Sequence, residues 1–119
     1  LAALGCKVTP VSRLGTDKAG ETLLNIFKKM KIPTDFIETT PKFPTTTKMR
    51  ILAGDDHTSK QQVIRIDKEV LGPFPETLER RILNHIETLK DTVDAFIVSD
   101  YGYDFISPGV LTALKEVAQ

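Results

Sequence analysis

The chain has little of what several protein classes require. It carries one cysteine, Cys6, in 119 residues. It can therefore close no internal disulfide, and nothing in it calls for an oxidising compartment. Tryptophan is absent and aromatics make up only 7%. Lys plus Arg number 16 against 16 Asp plus Glu, so no charge of either sign is in surplus. That denies the chain the basic footprint of a dedicated nucleic-acid binder. No apolar run approaches the roughly 18 residues of a membrane span. Disorder needs low hydrophobicity with high net charge, whereas here 40% of residues are hydrophobic at zero net charge. What is present is the composition of an ordinary globular domain, long enough for one core. The chain opens Leu1-Ala2-Ala3-Leu4-Gly5, without Met or a charged signal-peptide start, and closes inside an amphipathic pattern. The expectation is a piece of a longer protein, with residues 1–119 as part of one domain.

Residues 7–12 lean toward a β-strand, although Pro10 counts against a fully paired central one. Asp17 is a good N-cap for a helix whose Ala19, Leu23, Phe27 and Met30 recur at helical spacing. Lys28, Lys29 and Lys31 crowd its end, where the helix dipole favours cations, and Pro33 stops it. Pro41 and Pro44 exclude helix from the segment that follows. Two β candidates, 46–53 and 62–67, flank a polar, turn-rich stretch and predict a long hairpin. Pro75 suits a first helical position, and Leu78, Ile82, Ile86 and Leu89 form one face of the helix it opens. Ala95-Phe96-Ile97-Val98 is a short apolar run, expected to be a central strand parallel to 7–12. Ser107 and Pro108 then open a last helix carrying Val110, Leu114 and Val117. Helices between single strands imply an α/β fold with a mostly parallel sheet, from which the hairpin projects.

Two constellations could carry chemistry. Side chains alternate along a strand, so Lys48 and Arg50 share one face of the hairpin, and Met49 and Ile51 the other. On the second strand Arg65 and Asp67 share a face with Val63, opposite Ile64 and Ile66. If the polar faces coincide, three cations and a carboxylate line one surface. Arginine forks and a lysine charge suit a phosphate, and the carboxylate suits hydroxyls. The alternative is a solvated face with an ion pair of Asp67 to Arg65 or Arg50, which contributes little. The second constellation is Ser99-Asp100-Tyr101-Gly102 after the apolar run. In open parallel sheets the ligand crevice lies beyond the carboxyl ends of the strands. There Asp100 could accept a hydroxyl or attract a metal; the alternative is a turn in which Gly102 relieves backbone strain.

Other signals are weaker. Asp55-Asp56-His57 offers metal-type ligands, but neighbours in one loop rarely converge on an ion, and the segment reads as a turn. His85 reads as an edge or surface residue and Cys6 as a small buried hydrophobe. Gly15 to Gly20 lacks the Gly-Lys-Ser/Thr ending of a phosphate loop.

Gly5, nine residues, then Gly15, Asp17 and Gly20 are similar to the downstream half of the first signature of PfkB/ribokinase-type carbohydrate kinases. The run Pro44-Thr45-Thr46-Thr47-Lys48-Met49-Arg50, followed by Gln61-Gln62-Val63-Ile64-Arg65-Ile66-Asp67-Lys68-Glu69, resembles the lid region of that family's heptose-7-phosphate kinase branch. This branch forms the kinase half of bifunctional ADP-heptose synthesis enzymes. Ser99-Asp100-Tyr101-Gly102 fits it too, and the resemblance covers essentially the whole chain. Where the branch continues with Lys-Gly, this chain has Tyr103-Asp104. The family's Gly-Ala-Gly-Asp motif, which supplies an anion hole and the aspartate base, does not occur in these residues.

The resemblance implies a ribokinase-like three-layer sandwich with the hairpin, residues 46–67, as a β lid. It implies ATP-dependent phosphorylation, with Mg²⁺, of a sugar or sugar phosphate resembling heptose 7-phosphate. The setting it implies is cytoplasmic synthesis of bacterial lipopolysaccharide precursors. Exposed hairpin edges readily pair with a second subunit, so a homodimer through the lid is expected, and the charge balance and lack of a spanning run lead to no expectation of a nucleic acid or membrane partner. Under the resemblance Lys48, Arg50 and Arg65 would hold a substrate phosphate, while Asp67, Asp100 and Tyr101 would face the sugar. Gly5, Gly15, Asp17, Gly20 and Gly102 would be architectural, no metal ligand is assigned, and the catalytic Asp would lie outside these residues. The residues alone also allow a non-catalytic sugar- or nucleotide-binding module on the same framework.

Overall fold

The computed structural model describes residues 1–54, 60–69, 72 and 75–118. Strand β1, Ser12–Gly15, pairs in parallel with β2, Ile37–Thr40, Ser12 lying opposite Ile37 and Gly15 opposite Thr40. Parallel neighbours need a crossover, and helix α1, Lys18–Lys29, supplies it. Asp17 starts the helix by accepting the Gly20 N–H at 3.0 Å. Lys31, at φ 57°, turns the chain out of it. The helix buries Gly20 fully and Ala19, Leu23 and Phe27 by half, while Met30 stays exposed.

The strands differ from the sequence expectation in two places. The first strand is Ser12–Gly15, not 7–12: Pro10 has no N–H to give a ladder, and pairing begins only beyond it. The apolar run 95–99 joins no ladder, and β1 pairs with the unexpected β2 instead. Among the described residues no strand lies beside that run, so its backbone groups find no ladder partners. Phe96 still packs half-buried on the core, but Ile97 is 71% and Val98 44% exposed.

The hairpin consists of β3, Thr47–Ala53, antiparallel to β4, Gln61–Lys68. Its register shifts between Ile51 and Leu52, which face Ile64 and Gln62, leaving Val63 as the extra residue of a bulge. Val63 therefore does not take the regular place beside Arg65 and Asp67 that unbroken alternation assigns it.

Helix α2, Glu76–Leu89, buries the stripe Leu78, Ile82, Ile86 and Leu89, with Pro75 as its N-cap. Helix α3, Pro108–Val117, starts where the Ser107 hydroxyl accepts the Val110 N–H at 3.1 Å. That hydroxyl also donates to Glu79, tying the two helices together. Ile82, Ile86 and Val110 form the centre of the core, and Val11, Phe105, Ile106 and Leu114 close over it. Burying one such side chain stabilises by about 1.5–3 kcal/mol. At the other side of α2, Glu38 of β2 receives Arg81 Nη1 and lies against His85 Nε2, both at 2.8 Å. His85 also meets the Phe36 ring edge-on. It is thus a half-buried tether between helix and sheet, not an edge residue. Cys6 is exposed, contrary to its reading as a buried hydrophobe. Among the described residues no helix is long and apolar enough to cross a membrane.

Candidate functional site

The hairpin register settles which side chains share a surface. Lys48 lies opposite Asp67 and Arg50 opposite Arg65, so cations from both strands stand on one face. Met49, Ile51, Ile64 and Ile66 stand on the other, all exposed. Arg65 reaches Asp67 at 3.0 Å and Lys48 reaches Glu69 at 3.3 Å. Among the described residues Arg50 makes no ion pair. Like charges set directly across an antiparallel pair destabilise it. Asp67 offsets part of that cost through Arg65, and an anion that reaches Arg50 would offset the rest.

The root of the hairpin is built around Asp17. Besides capping α1, its carboxylate accepts the Thr45 N–H at 3.0 Å and faces Lys68 Nζ at 3.4 Å. Thr45 is buried, and its hydroxyl accepts the Gly15 N–H at 2.9 Å. A Cβ on Gly15 would stand 2.6 Å from the Phe43 carbonyl oxygen. A Cβ on Gly20 would stand 2.2 Å from the Gly15 carbonyl oxygen. Gly15, Asp17, Gly20 and Thr45 thus form one close-packed joint, which has no room for a side chain at either glycine. The Gly20 amide foremost, and then Thr45, hold the Asp17 carboxyl well below the usual carboxylate range.

A second joint lies beside it. The Tyr103 hydroxyl donates to Glu69 Oε1 at 2.6 Å, and Lys48 Nζ sits 5.5 Å from the centre of the Tyr103 ring. The Tyr103 hydroxyl, with Lys48 behind it, lowers the pKa of Glu69. Tyr103 and Glu69 together raise that of Lys48. Sequence reasoning assigned no role to Glu69 or Tyr103. Glu69 was within reach of it, since residues 65, 67 and 69 alternate onto one face. Tyr103 was not, because its partner lies 34 residues away.

The remaining candidates stand apart from this face. Asp100 Oδ1 accepts the Gly102 N–H at 2.8 Å, closing a turn on itself with Gly102 at φ 73°. Tyr101 is 78% exposed. Among the described residues no hydrogen bond or ion pair joins either to Lys48, Arg50 or Arg65. Gly5, at φ 87°, ends the short 3₁₀ turn Ala2–Leu4, away from the joint. Asp55, Asp56 and His57 lie outside the described residues. Among the described residues no three His, Cys, Asp or Glu side chains gather as a metal site.

A β-α-β crossover carrying a cationic hairpin on a glycine-packed joint is a ribokinase-like α/β arrangement. The chain matches the pfkB family of carbohydrate kinases over residues 1–70, and it belongs to that family. Its similarity to individual proteins runs further along the chain. It is 33% identical over 118 residues to the bifunctional protein HldE of Trichlorobacter lovleyi, covering 99% of this chain and 23% of that protein. It is 35% identical to the HldE of Geobacter sulfurreducens, over 100% of this chain and 23% of that protein. The HldE of Wolinella succinogenes is 34% identical over 100% of this chain and 24% of its own length. The chain therefore spans about a quarter of the length of these curated relatives.

Proposed function

We propose that this chain is part of one carbohydrate kinase domain, in a protein that transfers the γ-phosphoryl group of ATP to a sugar phosphate resembling heptose 7-phosphate. The reaction would serve bacterial surface-polysaccharide precursors in the cytoplasm. The observation that carries this reading is Arg50 directly opposite Arg65, with Lys48 and Asp67 beside them. Arg50 faces Arg65 across the ladder and makes no ion pair among the described residues, while Asp67 offsets only Arg65, which suits a phosphate bound on this face. In this reading the hairpin is a lid. Lys48, Arg50 and Arg65 bind the phosphate already on the sugar, Asp67 accepts a sugar hydroxyl, and closure excludes water from the transfer. Asp100 and Tyr101 border the crevice.

Mg²⁺-ATP, when bound, supplies the transferred group and neutralises its charge. The family's Gly-Ala-Gly-Asp motif does not occur in these residues, so this reading assigns the nucleotide, its Mg²⁺ and the aspartate base to residues outside this chain. The test compares two acceptors with the whole protein: the sugar 7-phosphate and the same sugar without phosphate. Loss of one charge-assisted contact lowers kcat/KM about tenfold or more. Equal kcat/KM for the two acceptors refutes the phosphate grip.

The apolar side of the lid supports a partner as well. Met49, Ile51, Ile64 and Ile66 stand exposed on one face of a two-stranded ribbon that no other strand among the described residues joins, and we assign a second copy of the protein to it. Ile66→Glu is expected to convert a dimer to a monomer in light scattering. A wild-type protein that is monomeric at micromolar concentration refutes the assignment.

A further inference from the structure

The lid is gripped at its root from two sides. Asp17 holds Thr45, just before β3, and Lys68, the last residue of β4. Tyr103 holds Glu69, just after β4, and lies under Lys48, the second residue of β3. Both strands therefore leave the body of the protein between two anchors. The second anchor converges on a single atom, because Glu69 Oε1 takes the Tyr103 hydroxyl at 2.6 Å and Lys48 Nζ at 3.3 Å.

Resting on the sugar-kinase reading, we propose that Tyr103 is a positioning residue: its hydroxyl fixes the Glu69 carboxylate, which in turn fixes Lys48 and the angle of the lid. Rotating the hairpin about its root would pull Lys48 and Glu69 away from the loop at 100–104. That motion breaks the phenol–carboxylate bond and lifts the ammonium off the ring. Lys48 stands opposite Asp67, yet its ammonium bonds to Glu69, one step nearer the root. Its ammonium is thereby held at a fixed place at the base of the cationic face, on the same side as Arg50 and Arg65. The shifts of Glu69 and Lys48 toward their charged forms agree with this geometry.

The proposal is tested in the whole protein with Tyr103→Phe, which keeps the ring and removes only the hydroxyl. Hydrogen exchange of lid amides, residues 47–53 and 61–68, should accelerate about 3- to 10-fold while α2 amides keep their rates. The sugar-phosphate KM should rise about fivefold, with kcat and the nucleotide KM changed less than twofold. Glu69→Gln should give a similar loss, and the double variant should be no worse than either single one, since both act through one contact. Additive losses, or lid exchange unchanged in Tyr103→Phe, overturn the proposal. So does a sugar KM within twofold of wild type. A wild-type protein that phosphorylates no sugar refutes the kinase reading alone; the exchange measurement then still decides whether Tyr103 clamps the hairpin.

Discussion

Arg50→Ala and Arg65→Ala, each made in the whole protein, are expected to raise the KM for the sugar phosphate about 10- to 150-fold, the worth of a hydrogen bond to a charged group, roughly 1.5–3 kcal/mol. Stability should move little, because exposed ion pairs such as Arg65 with Asp67 contribute within about 1 kcal/mol. Arg50→Ala also removes one of two opposed like charges, so its melting temperature should stay level or rise slightly. Arg65→Lys should remain impaired, since an ammonium cannot reproduce a two-pronged fork. The nucleotide KM should hold, as ATP is assigned to residues outside this chain. Steady-state kinetics and thermal melts on the same samples check all of this. If the alanine variants melt early and bind sugar normally, the cationic face is structural and the phosphate assignment falls.

Gly20→Ala is expected to destabilise the protein by about 3 kcal/mol or more, the upper end of what overpacking costs. Propensity points the other way, since alanine improves a helix interior by about 1 kcal/mol over glycine. Sterics decide. The new methyl would lie 2.2 Å from the Gly15 carbonyl oxygen and 2.9 Å from the Thr45 hydroxyl, and the first of these is backbone. To make room, α1 must withdraw from the end of β1, and the bond from the Gly15 amide to Thr45 must stretch. Thr45 precedes the lid, so sugar binding should weaken together with stability. Gly5→Ala is the control: nothing stands within 4 Å of its Cβ, and only its φ of 87° opposes the change. That strain costs about 1–2 kcal/mol. Denaturant titration distinguishes the two, and a Gly20→Ala variant as stable as wild type contradicts the close approach.

What could be read from the sequence follows from how local each signal is. The cationic face needed only strand alternation and a turn, so Lys48, Arg50, Arg65 and Asp67 were legible together. The buried stripe of α2 was equally plain, because Leu78, Ile82, Ile86 and Leu89 repeat at helical spacing. Strand β2 was missed: Ile37-Glu38-Thr39-Thr40 is four residues long and runs into Pro41. Its β-branched residues were the available signal, but only pairing with β1 makes it a strand. The run 95–98 failed for the converse reason, since apolarity states a wish for burial and cannot name a neighbouring strand. Tyr103 and Glu69 meet across 34 residues, a distance at which no periodicity speaks.

The bulge at Val63 carries a consequence for how this hairpin can change by mutation. It acts as a one-residue correction to the reading frame of β4. Below it, alternation pairs Arg65 with Arg50; above it, Gln62 falls opposite Leu52 and so joins the side that holds Lys48 and Arg50. Delete Val63 from the sequence, and β4 regains unbroken alternation with Gln62 still on that side. Lose the bulge while keeping the residue, and Val63 replaces the amide there, while Gln62 turns to the apolar side. Point substitutions at Val63 therefore alter one side chain, whereas single-residue insertions or deletions between Gln61 and Ile64 re-sort amide and hydrocarbon between the two surfaces. The length of that short segment, more than the identity of its residues, thus sets which side chains share the cationic surface.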